Sequence, residues 1–485
     1  MDSLTQFSQD RDQSPFFVGR HHERRLLADA IGGPEAEFVV LYGRRRVGKT
    51  YLVRQVLGDT ALFTYTGATN LKGQAQLAEF TKALRAQGWL GTGPVRNWFD
   101  AFAALRQLIE QAGRSRPAVV FIDEMPWMDS KKSDFLPAFE HFWNGWASGV
   151  GHLTLIVCGS AASWLTQKVF RNKGGLYNRV TRQIPLQPFT LAECRDYFDA
   201  RGIVWSLHDM VCSYMIFGGI PYYLRLFDPR LSLSLNVDTL CFGPTAPLSQ
   251  EFNQLFSTLF AHPYRHQQVV RVLAARQQGS TREDVATKVD FPDGGSLTKV
   301  LQELEQSGFL RHYQPYGRQR NGGLWQLTDP FTAFHLRFME AGHGEGYWSQ
   351  SAGHSRQRAW SGLAFEQVCL AHSPQIRQAL GVSGVAADLS GWRSRPSTAP
   401  GAQVDLVIDR ADGVINLCEM KYTAGEFQVD AATERALRTK VETFRQQTGT
   451  RKALHLTLVT TYGLAPGSHA GVFQHAVTMH DLVRR

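Results

Sequence analysis

The sequence predicts an α/β protein of several domains, and three observations lead to this prediction. A glycine-rich loop separates an apolar run from a helical pattern near the amino terminus; short helical patterns and a hairpin pattern follow; and two strands of alternating polarity stand near the carboxyl terminus. At about 150 residues per domain, the 485 residues suggest about three domains. The composition, 43% hydrophobic and 20% charged, is that of a globular protein.

The first element is a complete phosphate-binding loop, G-R-R-R-V-G-K-T, from Gly43 to Thr50. The apolar run 38–42 predicts a buried strand before it, and residues 51–57 predict a helix after it, which is the context the motif requires. Gly43 and Gly48 let backbone N–H groups face phosphate oxygens. Lys49 should reach the β- and γ-phosphates, and the Thr50 hydroxyl should bind Mg²⁺. The expected cofactors are therefore ATP and Mg²⁺.

Two later apolar runs end in polar residues that suit the same site. Run 119–122 leads into Asp123 and Glu124. Asp123 is expected in the Mg²⁺ shell, and Glu124 is expected to orient or deprotonate the attacking water. Run 153–158 ends shortly before Ser160, and ligands gather at the carboxyl ends of parallel strands. Ser160 is expected to sense the γ-phosphate or the water; the alternative is a structural helix cap.

Three further segments resemble the archaeal-type AAA+ ATPases of the signal-transduction NTPase group. Residues 17–20, F-V-G-R, resemble the adenine-side box of these proteins. Residues 175–179, G-L-Y-N-R, resemble their L-Y-G-R segment, with Asn178 in place of glycine. Residues 218–224, G-G-I-P-Y-Y-L, resemble the G-G-x-P-x-Y-L segment of their helical lid.

This resemblance implies a P-loop ATPase core over 1–185, a helical lid over 186–250, and a possible homo-oligomer or protein partner. It also makes Arg179 the candidate to contact the γ-phosphate, as an arginine finger or sensor. Arg171 and Arg182 are nearby rivals, and an ordinary surface charge is the alternative for Arg179.

The middle of the chain, over 251–335, predicts a winged-helix domain. Three helical patterns are followed by two strands, at 266–273, 282–286, 296–306, 309–313 and 324–327. Helix–turn–helix followed by a hairpin is the winged-helix order. Residues 329–334, with the sequence D-P-F-T-A-F, resemble the passage that links the same family's winged helix to its last domain.

A winged helix can bind DNA or serve as a spacer between proteins. For DNA binding, Thr298, Lys299 and Gln302 would face the groove, and Arg318 and Arg320 on the wing would meet phosphates. The third helix also carries two glutamates, which favours the spacer alternative. The sequence leaves both open.

Near the carboxyl terminus, two carboxylates and a lysine converge in the predicted strands 403–409 and 414–421. A three-residue loop centred on Asp412 pairs Asp405 directly with Glu419, and the period of two places Lys421 on the face of Glu419. Neighbouring carboxylates repel each other, and a divalent cation relieves the repulsion. Asp405 and Glu419 are therefore expected to be metal ligands.

This D…E-x-K pattern resembles PD-(D/E)XK nucleases, whose restriction-endonuclease-like fold is implied for 361–485, after a linker over 336–360. Glu366, in a helical pattern opening near Trp360, resembles the extra acidic residue of that fold. The implied catalytic residues are Glu366, Asp405, Glu419 and Lys421, with Glu124 and Arg179 in the ATPase. There are two alternatives: the domain keeps this fold but has lost catalysis, or Glu419 and Lys421 form an ordinary surface ion pair.

The function expected from these parts is that of an ATP-hydrolysing AAA+ protein controlling a Mg²⁺-dependent nuclease-like domain. Its partner would be nucleic acid, DNA more than RNA, with which a net charge of +9 is compatible. The alternatives are a regulatory switch or scaffold without catalysis, and a winged-helix DNA-binding regulator. Six scattered cysteines, no apolar stretch long enough for a membrane span and a polar start predict a cytoplasmic protein without a membrane partner.

Overall fold

A computed structural model describes residues 16–485 except 70, 72, 115, 131–132, 161, 171–173, 277, 318–322, 352 and 395–400, and the side chain at 162. The chain divides into two compact units, residues 1–188 and residues 189–485. Within the described residues, no helix combines the length and apolar character needed to cross a membrane.

The first unit is built on a parallel five-stranded sheet of order β2-β3-β4-β1-β5. Its strands are β1 (Glu37–Tyr42), β2 (Phe63–Thr66), β3 (Ala118–Asp123), β4 (Leu153–Gly159) and β5 (Arg182–Pro185). Strands β3 and β4 are buried along their whole length, as apolar runs in covered parallel sheets are. The parallel P-loop core is thus confirmed, while β2 and β5, which are four residues each, were not predicted.

Six α-helices of the first unit accompany this sheet. They are α1 (His21–Gly32), α2 (Lys49–Leu57), α3 (Gly73–Ala86), α4 (Trp98–Ala112), α5 (Phe135–Gly145) and α6 (Ala162–Leu165). Aromatic rings join the sheet to α5: the Phe38 ring lies 5.1 Å from the Trp143 ring and 5.5 Å from the Phe139 ring. This packing anchors β1, the strand that leads into the glycine-rich loop.

The second unit opens with five helices that include the predicted lid. They are α7 (Leu191–Ala200), α8 (Leu207–Phe217), α9 (Pro221–Leu224), α10 (Leu233–Cys241) and α11 (Glu251–Leu259). Between α8 and α9, Gly218 and Gly219 both have positive φ. A Cβ at Gly219 would lie 2.2 Å from the carbonyl oxygen of Phe189, so this approach requires glycine.

Three helices and an antiparallel hairpin follow in the predicted order. They are α12 (Pro263–Ala274), α13 (Arg282–Ala286), α14 (Gly295–Gln306), β6 (Leu310–Tyr313) and β7 (Leu324–Leu327). Thr281 and Asp284 form a capping box at the start of α13, because each side chain accepts a backbone hydrogen bond from the other residue.

The predicted linker 336–360 is largely folded. It contains most of a π-helical turn (His335–Met339) after α15 (Pro330–Phe334), then α16 (Tyr347–Gln350) and the start of α17 (Ser355–Ala371). The rings of Phe338, Trp348 and Trp360 lie 5.2–5.7 Å apart. The tryptophans therefore make this segment part of the packed unit rather than a flexible connection.

A second five-stranded sheet, of order β12-β11-β10-β9-β8, ends the chain. Its strands are β8 (Ala387–Arg393), β9 (Gln403–Arg410), β10 (Val414–Lys421), β11 (Ala453–Thr460) and β12 (His475–Thr478). Its helices are α18 (Ser373–Ala379), α19 (Ala431–Thr448) and α20 (Met479–Leu482). Strand β9 runs antiparallel to both of its neighbours, β8 and β10, whereas β10, β11 and β12 run parallel, so the sheet is mixed.

Candidate functional site

The glycine-rich loop closes around the Lys49 side chain. Gly43 and Gly48 have φ of +148° and +91°, and a Cβ at Gly43 would lie 2.3 Å from the carbonyl oxygen of Leu186. Lys49 Nζ donates hydrogen bonds to the carbonyls of Gly43, at 2.9 Å, and Arg44, at 3.0 Å. Burial lowers the pKa of Lys49, opposed by nearby acidic groups, Glu124 first. The buried ammonium group is thus held against the loop, where it can transfer its hydrogen bonds to phosphate oxygens.

Thr50 and Asp123 meet although they follow different strands. The Thr50 hydroxyl donates to Asp123 Oδ2 at 2.7 Å. Burial raises the pKa of Asp123, opposed first by this hydrogen bond. A hydroxyl beside a carboxylate is the donor chemistry that Mg²⁺ takes in P-loop proteins, so these two residues fit the expected ion.

Glu124 is aimed by an unusual backbone conformation. Its φ of +48° lies in the left-handed region, where residues other than glycine are uncommon. The Ser160 hydroxyl lies 3.0 Å from both carboxylate oxygens of Glu124, and the Ser160 backbone N–H donates to Oε2 at 3.2 Å. In this structure Ser160 therefore contacts the residue expected to act on water, and its position suits holding that carboxylate in place.

Of the three arginines proposed to contact the γ-phosphate, Arg179 and Arg182 lie in different settings. Arg179 is exposed, after Asn178, whose φ is +56°. Asparagine tolerates the left-handed region, so Asn178 can adopt this turn conformation without a glycine. The Arg182 guanidinium donates to Glu37 at 2.9 and 3.1 Å. These two residues begin β5 and β1, so they lie at the end of the sheet opposite to the glycine-rich loop. Arg171 lies outside the described residues.

The carboxyl-terminal carboxylates lie in the predicted register. Ile415 pairs with Asp409 and Cys418 with Leu406, so the next position places Glu419 opposite Asp405. Lys421 Nζ lies 2.8 Å from Glu419 Oε1, on the same face. Asp405 Oδ2 accepts the backbone N–H of Met420 at 3.2 Å.

Two further residues complete this cluster. Lys440, on α19, lies 2.5 Å from the second oxygen of Glu419, a contact that the sequence interpretation did not identify. Burial opposes ionisation of Glu419, but Lys440 and Lys421 together hold its pKa below the usual value. Glu366, on α17, has its pKa raised to about 8, by burial first and then by Asp405. Burial and then Glu419 also raise the pKa of Asp405.

The donor chemistry of this cluster suits a divalent cation only in part. Asp405 and Glu419 supply carboxylate oxygens, yet both oxygens of Glu419 already contact lysines. Across the part of the chain that the structure describes, no three His, Cys, Asp or Glu side chains come together in an arrangement that could hold a metal ion. A cation at Glu419 would have to displace Lys421 or Lys440.

Helices α7 and α8, in the region predicted to be the lid, contact the end of strand β10 and the end of helix α17. The hydroxyl of Tyr422, the residue after Lys421, lies 2.7 Å from His208 Nε2 and 3.0 Å from Cys212 Sγ, both on α8. The backbone N–H of Leu191, on α7, donates to His372 Nε2 at 2.9 Å. Specific polar contacts therefore join these two helices to the element that carries Lys421 and to the helix that carries Glu366.

The surface of α14 carries mixed charge. Lys299 and Gln302 are exposed and Thr298 is half-buried. Lys299 Nζ lies 3.8 Å from Glu303 Oε1, and Glu305 is also exposed. The proposed wing contacts Arg318 and Arg320 lie outside the described residues.

Comparison with protein families identifies the domain that contains the glycine-rich loop. The model of the AAA ATPase domain family matches residues 17–141. The chain therefore contains an AAA ATPase domain. That range includes the glycine-rich loop, Asp123 and Glu124, and supports the assignment of ATP binding to this unit.

Individual proteins match over longer stretches. The uncharacterized protein MJECL04 of Methanocaldococcus jannaschii is 23% identical over 330 residues, which are 67% of this chain and 69% of that protein. The Walker-type ATPase PABY2304 of Pyrococcus abyssi aligns with a TM-score of 0.48 and 17% identity, over 68% of this chain and 99% of its own. The Aeropyrum pernix ORC2 protein, solved in ADPNP–ADP complexes, aligns with a TM-score of 0.38 and 14% identity, over 68% and 97%.

Proposed function

We propose that this protein binds and hydrolyses ATP with Mg²⁺ at the loop and uses its nucleotide state to control a nuclease-like centre in the second unit. The observation that carries the ATPase part is the convergence of Lys49, Thr50, Asp123 and Glu124 within a matched AAA ATPase domain. Mg²⁺ would supply charge stabilisation for the phosphoryl oxygens. Lys49 would bind the phosphates, and Glu124, oriented by Ser160, would position and deprotonate water.

The output proposed for the second unit is cleavage of a phosphodiester in nucleic acid, DNA more than RNA. Support comes from the strand register, which places Glu419 opposite Asp405 one position beyond the Cys418–Leu406 pair, and from the Lys421 contact with Glu419 at 2.8 Å. Lys421 would orient water or stabilise the charge that develops on the phosphorus oxygens. Asp405, together with Glu419 once Lys421 or Lys440 is displaced, would hold Mg²⁺, whose chemistry there would be stabilisation of negative charge on the phosphate.

Control by nucleotide is proposed through the lid. Tyr422 follows Lys421 directly and contacts α8 through His208 and Cys212. A displacement of α8 would therefore be transmitted to the strand end that carries Lys421. Arg179 is proposed as the γ-phosphate contact, in this chain or between copies of it.

A second candidate function is a nucleotide switch whose nuclease-like domain lacks catalysis. The specific observation in its favour is that Lys421 and Lys440 together occupy both oxygens of Glu419. These lysines neutralise the carboxylate without a metal ion, as in a structural ion-pair network. Under this function the second unit would bind a partner and cut nothing.

One set of variants tests both candidates. Lys49→Ala should abolish ATP hydrolysis, because the phosphates lose their buried cation. Asp405→Ala/Lys421→Ala should abolish cleavage of plasmid, single-stranded DNA or RNA with Mg²⁺ or Mn²⁺, while ATP hydrolysis continues. Asp388→Ala/Arg435→Ala, at two exposed positions, is the control for an equal charge change.

The outcomes separate the candidates. Cleavage by wild type that depends on ATP and is lost in the Asp405/Lys421 variant supports nuclease control. Equal cleavage by wild type and that variant removes the nuclease proposal. Normal ATP hydrolysis without cleavage of any substrate leaves the non-catalytic switch.

A further inference from the structure

A cavity of about 880 Å³ lies within the second unit beside the carboxyl-terminal carboxylates. Glu366 and Asp405 contribute to its wall. Arg311, from the hairpin β6–β7, and Arg393, from β8, line it as well. The winged-helix segment and the mixed sheet therefore build this cavity together, although they are far apart in sequence.

Specific contacts fasten the hairpin segment to the sheet. The backbone N–H of Tyr316 donates to the carbonyl of Gly391 at 2.8 Å. The ring of Tyr316 packs against the Phe444 ring at 5.1 Å between centroids. A Cβ at Gly391 would meet the ring of Tyr313 at 3.5 Å, which shows how closely the two parts approach. The cavity is thus bounded by packed elements.

Five arginines line the cavity, and among the described residues three of them have no acidic partner within ion-pair distance. Arg271 and Arg276 form ion pairs with neighbouring carboxylates at 2.8 and 3.0 Å. In the described ranges, Arg311, Arg337 and Arg393 form no ion pair. Unpaired cations around one concave space favour binding of an anion there.

Arg311 is the clearest example of an arginine in this cavity that would be stabilised by an anion. It is partly buried, and burial lowers the pKa of its guanidinium. Its Nε donates to Gln326 Oε1 at 2.7 Å, and its Cζ lies 4.8 Å from the centroid of the Tyr313 ring. A desolvated cation without a carboxylate is unfavourable, and an anion in the cavity would offset that cost.

The carboxylates and the arginines reach the cavity from different elements: Asp405 from β9, Glu366 from α17, Arg311 from β6 and Arg393 from β8. A phosphodiester held by the arginines would therefore lie in the same cavity as the carboxylates.

The size of the cavity selects the form of the anion. Cavities of about 300–1,000 Å³ enclose ligands of drug size, which is the scale of one or two nucleotides. A duplex, whose major groove alone is about 12 Å wide, is much larger. A basic groove with an aromatic ring is the usual arrangement for binding single strands without sequence preference.

We propose that this cavity binds a single strand of nucleic acid, with phosphates on Arg311, Arg337 and Arg393 and a phosphodiester directed towards Asp405. The role of the bound strand as a cleavage substrate rests on the proposed function, but the binding itself does not. A duplex would then be acted on only at an end or an opened segment.

Binding can be measured on the full chain by fluorescence anisotropy, without divalent metal so that no strand is cut. The probes are a labelled single-stranded DNA, the matching single-stranded RNA, and a blunt duplex of the same sequence. The variants are Arg311→Gln, Arg393→Gln and Arg337→Gln, with Arg435→Gln, at an exposed position outside the cavity, as matched control. Thermal unfolding verifies that each variant folds.

Wild type should bind a single strand at least about tenfold more tightly than the duplex. Each cavity variant should weaken single-strand binding about tenfold, because one charge-assisted contact to phosphate is lost. The slope of the logarithm of the binding constant against the logarithm of the salt concentration should also become shallower, by the contribution of about one phosphate contact. Arg435→Gln should bind as wild type does. The two labelled strands show whether DNA, RNA or both are accepted.

Wild-type affinity in Arg393→Gln and Arg337→Gln, which are exposed and should fold normally, would overturn the proposal. An equal loss of duplex and single-strand binding in these variants would overturn the selection for single strands. Cleavage that persists with unchanged binding in the cavity variants refutes this inference and leaves the proposed function standing. Arginine-dependent single-strand binding without cleavage supports this inference and refutes the nuclease.

Discussion

His372 provides a pH-dependent test of the packing between the lid and the helix that carries Glu366. This histidine is buried at the end of α17, and its Nε2 accepts the backbone N–H of Leu191 at 2.9 Å. Its Nδ1 lies 2.8 Å from the carbonyl of Val368. An acceptor at Nε2 assigns the proton to Nδ1, so the neutral ring satisfies both neighbours. Protonation of Nε2 would place two N–H groups against each other.

The expected magnitude follows from the pKa. Burial lowers the pKa of His372 from 6.5 to about 4, and the hydrogen bond to the backbone of Val368 opposes this shift only in part. Between these values the unfolded chain binds more protons than the folded chain, so stability increases with pH. The stabilisation that neutral His372 gives to the folded state is fully present above pH 6.5 and is lost as the pH falls from 6.5 towards 4. The full difference is about 3.4 kcal/mol, of which about 2 kcal/mol disappears between pH 7 and pH 5.

The assay is urea unfolding at pH 7 and pH 5, with hydrogen exchange of the peptide that contains Leu191. His372→Gln removes the titration, so its loss of stability between the two pH values should be about 2 kcal/mol smaller than that of wild type. His354→Gln, at an exposed position, controls for the removal of a histidine. An identical pH dependence of wild type and His372→Gln would show that protonation of His372 does not cause the loss of stability.

Three further predictions concern the two centres and the lid. Glu124→Gln should bind ATP normally but hydrolyse it at least about 100-fold more slowly in a phosphate-release assay, because the amide cannot take a proton from water; an unchanged rate would contradict the assigned role. Lys440→Met should free one oxygen of Glu419, so Mn²⁺ should raise the thermal unfolding temperature of this variant more than that of wild type, whereas equal shifts would argue against the competition between lysine and cation. Gly219→Ala should lower the free energy of unfolding, measured in urea, by about 1–3 kcal/mol, because the added Cβ would lie 2.2 Å from the Phe189 carbonyl oxygen. Wild-type stability of this variant would show that the backbone can move to make room for the Cβ.

Much of the backbone could be predicted because its determinants are local. The loop motif, the apolar runs before it and after it, and the capping residue Thr281 each specify structure within a few residues. The pairing of Asp405 with Glu419 was predictable for the same reason, since a short turn and a period of two fix a hairpin register. Strands β2 and β5 were missed, because four residues carry little periodicity and pair only through distant neighbours.

The side-chain environment could not be predicted in the same way. Ser160 was placed correctly at the carboxyl end of β4, but only the structure shows its hydroxyl on Glu124. The contact of Lys440 with Glu419 depends on how α19 packs on the sheet, which no local pattern specifies. Residues 336–360 were expected to form a linker, yet the side chains of Phe338, Trp348 and Trp360 are buried against one another.

The phosphate-binding loop, the order of the elements, and the face shared by Asp405, Glu419 and Lys421 could be derived from the amino-acid sequence, because they follow from spacing along one or two adjacent segments. The lysine contacts to both oxygens of Glu419, and the cavity that Arg311 and Arg393 share with Asp405, became evident only in the folded chain. Burial and charge depend on residues brought together across hundreds of positions, and no local pattern encodes them.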